Sequence, residues 1–295
     1  MIISSLNKSK IRILIVGSNG MLGHMLFDYF TAQDGFETIG LSRNVINGFI
    51  NEKNIIKEEN LTNPDIINSL IDKVRPNLVI NCVGMIKQNP NISNIEESFY
   101  LNSFFPKILS QICKIKKIRF LTFSTDCVFS GKKGFYKEDD LVDIQDLYGQ
   151  SKYLGEVNDS DNTITLRTSI IGKELNTKRG LLEWLLSQSK LNKKVYGFKN
   201  VIFSGFPTIE VARIIHKYII PNNDLKGIYH LSSDPIDKYS LLNLIKRFYS
   251  LDVMIIAEYD NVINRSLDSS KFRFETGFIP YDWEYLVQSM YENNL

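Results

Sequence analysis

The chain is poor in residues that cross-link or chelate. Its 295 residues include three cysteines, Cys82, Cys113 and Cys127, odd in number and far apart. That spacing offers neither a disulfide framework nor a metal-ligand motif. The three histidines, His24, His216 and His230, are also scattered, so no metal site is expected. Neither charge sign dominates: 35 Lys and Arg face 33 Asp and Glu. A dedicated nucleic-acid binder carries a strong basic surplus, so no nucleic-acid partner is expected. No apolar run approaches the roughly 20 residues of a membrane span, which argues against membrane insertion. Met1–Lys10 lacks the continuous apolar centre of a signal peptide, and a reducing cytoplasm is the expected location. Repeats, low-complexity tracts and Pro/Gly-rich linkers are missing too. The second half is therefore expected to pack against the first.

What the chain does have is alternation. Ile11–Val16, Phe36–Leu41, Leu78–Val83, Ile118–Phe123 and Thr163–Leu166 are short, largely apolar runs. Such runs suit strands buried on both faces of a parallel sheet. Between them, Met21–Phe30, Pro64–Val74, Ser98–Lys114 and Tyr148–Val157 carry helical spacing. Strand–helix alternation implies crossover units and an α/β fold, a Rossmann-type doubly wound parallel sheet. After Arg167 the pattern loosens. Helices are expected at Leu181–Leu191, Ile209–Ile219 and Leu241–Tyr249, and strands at Gly227–Leu231 and Val253–Ala257.

The first strand runs into Gly17-Ser18-Asn19-Gly20-Met21-Leu22-Gly23, which opens the first helix. Glycines let that turn tighten and let the backbone approach a pyrophosphate, while the helix N-terminus offers free N–H groups to the anion. A glycine pattern gains weight from this strand–turn–helix context. The second strand ends in Leu41-Ser42-Arg43-Asn44, with no acid to accept from the ribose hydroxyls of NAD. Arg43 suits a 2′-phosphate instead, which favours NADP(H) and leaves NAD(H) open. An ordinary solvated arginine is the alternative.

Tyr148 and Lys152 stand at i and i+4, on one face of a helix. A neighbouring ammonium favours the phenolate and is expected to lower the tyrosine pKa. The tyrosine then exchanges a proton with a carbonyl oxygen as hydride arrives, and the lysine can also bond the nicotinamide ribose. Upstream, Ser124-Thr125-Asp126 directly follows the fourth strand. Ligands of doubly wound sheets lie at that edge, so Thr125 can bond the same carbonyl oxygen. Capping of a turn is the alternative role for Ser124 and Thr125.

With these stretches the chain resembles the extended short-chain dehydrogenase/reductases, and among them the dTDP-4-dehydrorhamnose reductases. Asn81-Cys82-Val83-Gly84, Leu101-Asn102, Gly155-Glu156, Leu166-Arg167, Phe206-Pro207-Thr208 and Arg265-Ser266-Leu267-Asp268 extend the resemblance over nearly the whole chain. It implies reduction of the 4-keto group of a nucleotide-linked 6-deoxyhexose, feeding a surface polysaccharide. Tyr148 would donate the proton, with Lys152 as its partner and Thr125 tuning both. Gly17, Asn19, Gly20, Met21, Leu22 and Gly23 would lie along the cofactor pyrophosphate, Ser42 and Arg43 at its ribose, and Asn81, Val83 and Gly84 on its ribose and adenine side. Asp126 would contact the sugar. Arg265, with Lys178 and Arg179, would face the substrate diphosphate or be surface charge. Residues 1–168 would form the NAD(P)-binding domain and 169–295 a smaller substrate-binding part, with about 205–235 packing back on the first. Cys127 replaces the second acid of related dehydratases, so dehydration is not expected. A sugar-nucleotide epimerase or epimerase–reductase, or a regulatory subunit like the methionine adenosyltransferase β subunit, are the other readings. A homo-oligomer stays open.

Overall fold

The central strands are largely apolar because helices cover both of their faces. A computed structural model describes residues 10–44, 52–191 and 194–293. In chain order the first half runs β1 (Ile11–Val16), α1 (Met21–Thr31), β2 (Phe36–Ser42), β3 (Ile55–Lys57), α2 (Pro64–Val74), β4 (Leu78–Asn81), α3 (Ile95–Phe99), α4 (Phe105–Ile115), β5 (Arg119–Thr125), α5 (Leu147–Leu154) and β6 (Thr163–Thr168). The second half adds β7 (Ile170–Ile171), α6 (Leu181–Lys190), β8 (Lys194–Phe198), β9 (Val201–Phe203), β10 (Phe206–Pro207), α7 (Thr208–Ile214), β11 (Gly227–His230), β12 (Ile236–Asp237), α8 (Lys238–Phe248), β13 (Met254–Glu258), β14 (Ile263–Asn264), α9 (Ser270–Thr276) and α10 (Trp283–Glu292).

Seven strands form one parallel sheet in the order β11-β6-β5-β4-β1-β2-β3. This is the Rossmann-type arrangement expected from the alternation. Successive β1 side chains point to opposite faces. Ile13 and Ile15 enter a core shared with Leu26 of α1, Leu241 of α8 and Leu286 of α10. Leu14 and Val16 enter the other core, with Ile71 of α2 and Leu109 of α4. The chain leaves β1 in one direction through β2 and β3, then returns to build outward from β4. The reversal between β1 and β4 is the switch point where ligands of such sheets bind.

Two expected helices change at their ends. The run expected at Ser98–Lys114 is two helices joined by a wide π turn, Tyr100–Phe104. Pro106 has no N–H to give the Asn102 carbonyl, so the ordinary ladder cannot run through. The helix expected to reach Val157 stops at Leu154, where Gly155 and Glu156 bond back only three residues.

Candidate active site

The glycine loop lies across the switch point. Gly17 N–H donates to Leu41 O at 2.8 Å, and Cys82 N–H donates to Val16 O at 2.8 Å. Gly17 has φ +87°, and a Cβ there would meet the Cys82 and Val83 backbone at 3.0 Å. A Cβ on Gly23 would stand 2.1 Å from Gly17 O, so the first turn of α1 seats directly on the loop. Gly20 differs: its nearest neighbour to such a Cβ is 3.5 Å away. Packing within the protein does not demand that glycine, which lies on the wall of the neighbouring cavity. His24 reinforces the loop, its ring N–H donating to Gly20 O at 2.9 Å.

Beside the loop opens a cavity of about 600 Å³. Gly17, Asn19, Gly20, Ser42, Arg43, Val83 and Gly84 line it, as expected. So do Asn44, Leu61, Thr62, Tyr100 and Asn176, which no motif marked. Ser42 Oγ donates to Asn44 O at 2.9 Å, and Asn19 Nδ2 donates to the same carbonyl. Asn19 Oδ1 and Ser18 Oγ are buried without a hydrogen-bond partner among the described residues. The unpartnered Asn19 carbonyl oxygen, an exposed arginine and the glycines of the loop fit a dinucleotide. Two expected contacts work differently. Asn81 turns inward, donating to Thr122 Oγ1 at 3.2 Å and accepting from Val83 N–H at 3.1 Å, so it shapes the 82–84 loop. The Leu22 side chain lies in the core, 7% exposed, which leaves only its backbone for a ligand. A separate apolar cavity of about 700 Å³, lined by Tyr29, Phe36, His216 and Tyr218, shares no residue with the first.

Thr125, at the carboxyl end of β5, is buried. Its hydroxyl accepts from Cys127 N–H at 3.1 Å and so caps the turn Asp126–Val128. The same hydroxyl donates to Asp126 Oδ1 at 3.2 Å and lies close to Tyr148. The capping and carbonyl-facing readings of Thr125 are therefore compatible. Burial raises the Tyr148 pKa above that of an ordinary phenol, and Cys127, Asp126 and Asp146 add to the rise; the Thr125 hydrogen bond opposes it. This corrects the expectation that Lys152 would lower it. Lys152 is itself desolvated, its pKa reduced to about 8 by burial against the opposing charge of Glu156. Desolvation outweighs attraction at both groups. Tyr148 therefore stays protonated across the neutral range.

Three glycine contacts hold the Tyr148 helix in place. A Cβ on Gly149 would stand 2.4 Å from Cys127 O, and one on Gly155 would stand 1.9 Å from Asn102 O. On Gly84, a Cβ would lie 3.0 Å from Asn102 Oδ1 and 3.7 Å from Lys152 Nζ. Asn102, in the π turn, donates to Ser151 Oγ at 2.9 Å and accepts from Met85 N–H at 2.8 Å. Beneath, Glu156 accepts from Arg167 Nε at 2.7 Å and from Ser124 Oγ at 2.6 Å. Both side chains of the Glu156–Arg167 pair are 3% exposed, and the Arg167 guanidinium stacks 5.4 Å from the Phe129 ring.

On the substrate side, Arg265 Nε donates to Phe129 O at 2.8 Å, and its guanidinium reaches Cys127 Sγ at 3.9 Å. The structure thus brings Arg265 to the turn carrying Asp126. Lys178 and Arg179 are exposed, in a loop whose Asn176 lines the glycine-loop cavity. No contact joins their side chains to Arg265 among the described residues. Sequence reasoning missed Lys87, which donates to Asp146 at 2.6 Å, and Lys238, whose charge is coupled to Asp126. Neither belongs to a motif, and only the tertiary fold brings them here.

A parallel sheet with a glycine loop at its switch point, a threonine at the neighbouring strand end and a Tyr–Lys pair on the helix that follows defines the extended short-chain dehydrogenase/reductase class. Within that class the chain belongs to the RmlD substrate binding domain family, whose model matches residues 11–295. It is 24% identical over 300 residues to the dTDP-4-dehydrorhamnose reductase of Aggregatibacter actinomycetemcomitans, covering 95% of this chain and 98% of that one. A methionine adenosyltransferase 2 subunit beta from Danio rerio is also 24% identical, over 81% of this chain and 74% of that one. Among solved structures, a dTDP-4-dehydrorhamnose reductase from Bacillus anthracis, in complex with NADP, superposes with TM-score 0.79 at 18% identity, covering 96% and 99% of the two chains. The Bordetella bronchiseptica enzyme WbmG, in complex with NAD and UDP, gives 0.78 at 18% identity, covering 97% and 96%.

Proposed function

We propose that the protein reduces the 4-keto group of a nucleotide-linked 6-deoxyhexose, as its dTDP-4-dehydrorhamnose reductase relatives do, with NADPH as cofactor. The observation that carries this reading is the glycine-loop cavity at the switch point, lined by Gly17, Gly20 and Gly84, with the Lys152 amine near Gly84 and Tyr148 kept protonated by burial. The bound cofactor supplies hydride to the keto carbon. Tyr148 gives its proton to the carbonyl oxygen, and Thr125 holds that oxygen in line. Lys152, whose Nζ lies near Gly84 of that cavity, would support the cofactor ribose and add positive charge where the phenolate forms. Residues 1–168 would hold the cofactor and 169–295 the sugar, with about 205–235 packed back on the first part; β11 joining the main sheet supports this division. Asp126 would face the hexose and Arg265 the diphosphate, with Lys178 and Arg179 at the rim. A cytoplasmic site of action matches an enzyme dependent on NADPH.

NADPH consumption with dTDP-4-dehydrorhamnose, followed by absorbance and product mass, tests the reading. Stoichiometric oxidation with a product two mass units heavier is expected. Binding of NADPH without its consumption, across a panel of keto-sugar nucleotides, would instead favour an epimerase or a regulatory subunit. The presence of Thr125, Tyr148 and Lys152 together weighs against the regulatory reading. For cofactor choice, Arg43 on the cavity wall is expected to favour NADPH by about 10- to 100-fold, the range of a charge-assisted hydrogen bond. Arg43→Ala should erase that preference; equal affinity for NADPH and NADH in the unmutated protein would refute it.

A further inference from the structure

Glu156 lies just past the end of α5, and its side chain is 3% exposed. A buried carboxylate is costly unless donors meet it. Three donors meet this one. Ser124 Oγ donates to Oε1 at 2.6 Å, Arg167 Nε donates to the same oxygen at 2.7 Å, and Arg167 Nη2 donates to Oε2 at 2.8 Å. The chain on either side of Glu156 is pinned as well. A Cβ on Gly155 would run into Asn102 O. The Thr165 hydroxyl donates to Val157 O at 2.9 Å and accepts from Val157 N–H at 3.2 Å.

Ser124 and Arg167 are register partners across β5 and β6. The carboxylate therefore bridges two neighbouring strand ends at one level and ties both to the end of α5. Successive strand side chains point to opposite faces. A bond that fixes Ser124 on one face thus fixes the rotation of β5 about its own axis. Thr125 is the next residue, and the direction of its hydroxyl follows. Tyr148 and Lys152 stand on α5. Thr125 and Tyr148 would meet the same keto oxygen, yet neither the strand nor the helix alone sets the gap between them.

The surrounding network stiffens this joint. Arg167 Nη1 reaches His230 Nε2 at 3.3 Å, and His230 Nδ1 donates to Tyr136 O at 2.9 Å. A carbonyl only accepts, so Nδ1 carries the ring proton and Nε2 is left to accept from the guanidinium. Burial and the Arg167 charge hold the His230 pKa down to about 3, so the ring stays neutral through the neutral range. The guanidinium also lies 5.4 Å from the Phe129 ring, which stacks on Tyr136 at 4.1 Å. Arg167 is thus held by β11 and by the loop carrying Phe129 and Tyr136, as well as by Glu156.

We propose that Glu156 is a positioning residue: its bonds to Ser124 and Arg167 set the gap between the Thr125 hydroxyl and the Tyr148 phenol at the keto oxygen. The proposal deepens the reductase reading and rests on it. Hydrogen bonds to an ionised group are short and strong, which suits a joint that must keep its length. A buried pair of this kind adds little stability that apolar packing would not supply. Its contribution therefore belongs in kcat.

Glu156→Gln would leave the Arg167 guanidinium buried and unpaired, which endangers folding. Ser124→Ala deletes one hydroxyl and keeps the Glu156–Arg167 pair. With dTDP-4-dehydrorhamnose and NADPH, Ser124→Ala should lower kcat by about 10-fold, part of the roughly 10²-fold that a 1 Å misplacement costs. KM for both substrates should stay unaltered. Ser124→Thr keeps the hydroxyl and should recover most of the rate. In a Thr125→Val background, Ser124→Ala should cost nothing further, because the serine acts through the threonine. Unchanged kcat in Ser124→Ala, or losses that simply add in the double variant, overturns the proposal. Should the unmutated protein reduce no keto-sugar nucleotide, the reductase reading falls, and amide hydrogen exchange decides the joint. Exchange of the α5 amides about 10-fold faster in Ser124→Ala supports it; equal exchange removes it.

Discussion

At the scale of single residues, proton transfer and charge are separable. Tyr148 keeps its proton because burial and neighbouring acids raise its pKa, so its acid form prevails through neutral pH. Tyr148→Phe removes only the hydroxyl and should lower kcat by about 10²–10⁴-fold, the usual worth of general acid–base catalysis, while NADPH still binds. Near-normal turnover in that variant, at saturating NADPH and with an identified keto-sugar, would falsify the proton-donor role. Lys152 gives the pH dependence. Its pKa is reduced to about 8, so the side chain is charged below that value and neutral above it. The rate of reduction should be level through neutral pH and decline as pH rises past about 8. Lys152→Arg, always protonated, should remove that decline. A profile level to pH 9.5 in the unmutated protein would show that the lysine charge is not used.

At the scale of elements, the catalytic helix owes its place to missing side chains. Gly149 and Gly155 let α5 press against the Cys127 and Asn102 carbonyls, and the π turn that presents Asn102 exists because Pro106 interrupts the ladder. Gly155→Ala must move α5, since its Cβ would stand 1.9 Å from Asn102 O. Overpacking of this kind costs about 1–3 kcal/mol. Displacing the helix by even a fraction of an ångström misaligns Tyr148, and misplacements near 1 Å cost roughly 10²-fold in rate. Gly35→Ala is the control, with nothing within 4 Å of the added Cβ. Thermal unfolding and kcat measured on both variants test this: equal activity in the two would mean that α5 is not held by Gly155.

At the scale of the molecule, one core joins both halves. Ile13 and Leu26 of the first half share a cluster with Leu241, Leu286 and Met290 of the second, and the buried Glu156–Arg167 pair lies below the catalytic helix. Unfolding should therefore be a single transition by calorimetry. NADPH at a hundred times its dissociation constant should stabilise the native state by about 2.7 kcal/mol and raise the whole transition by roughly 5 °C. Two transitions, with only one responding to NADPH, would show that the halves are energetically separate. Among the described residues no helix is long and apolar enough to cross a membrane.

The strand–helix alternation, the glycine loop and the Tyr148–Lys152 spacing were legible in the chain because they are local: strand and helix periods and turn chemistry depend on neighbours a few residues apart. Pro64–Val74 could be placed to the residue, since Asn63 caps the helix and Pro64 opens it. Short strands such as β3, β7 and β10, and the short helix α9, carried too little period to be read; α10 went unread although Trp283, Leu286, Val287 and Met290 repeat at helical spacing behind an Asp282 cap. Three features needed the tertiary structure. The inward turn of Asn81, the raised pKa of Tyr148 and the arrival of Arg265 beside Cys127 all arise between segments far apart in sequence. Desolvation is set by everything packed around a group, and a contact between residues 127 and 265 leaves no trace in the spacing of either. The sequence alone therefore carried the local motifs, while folding decided the ionisation of their groups and which distant charges stand beside them.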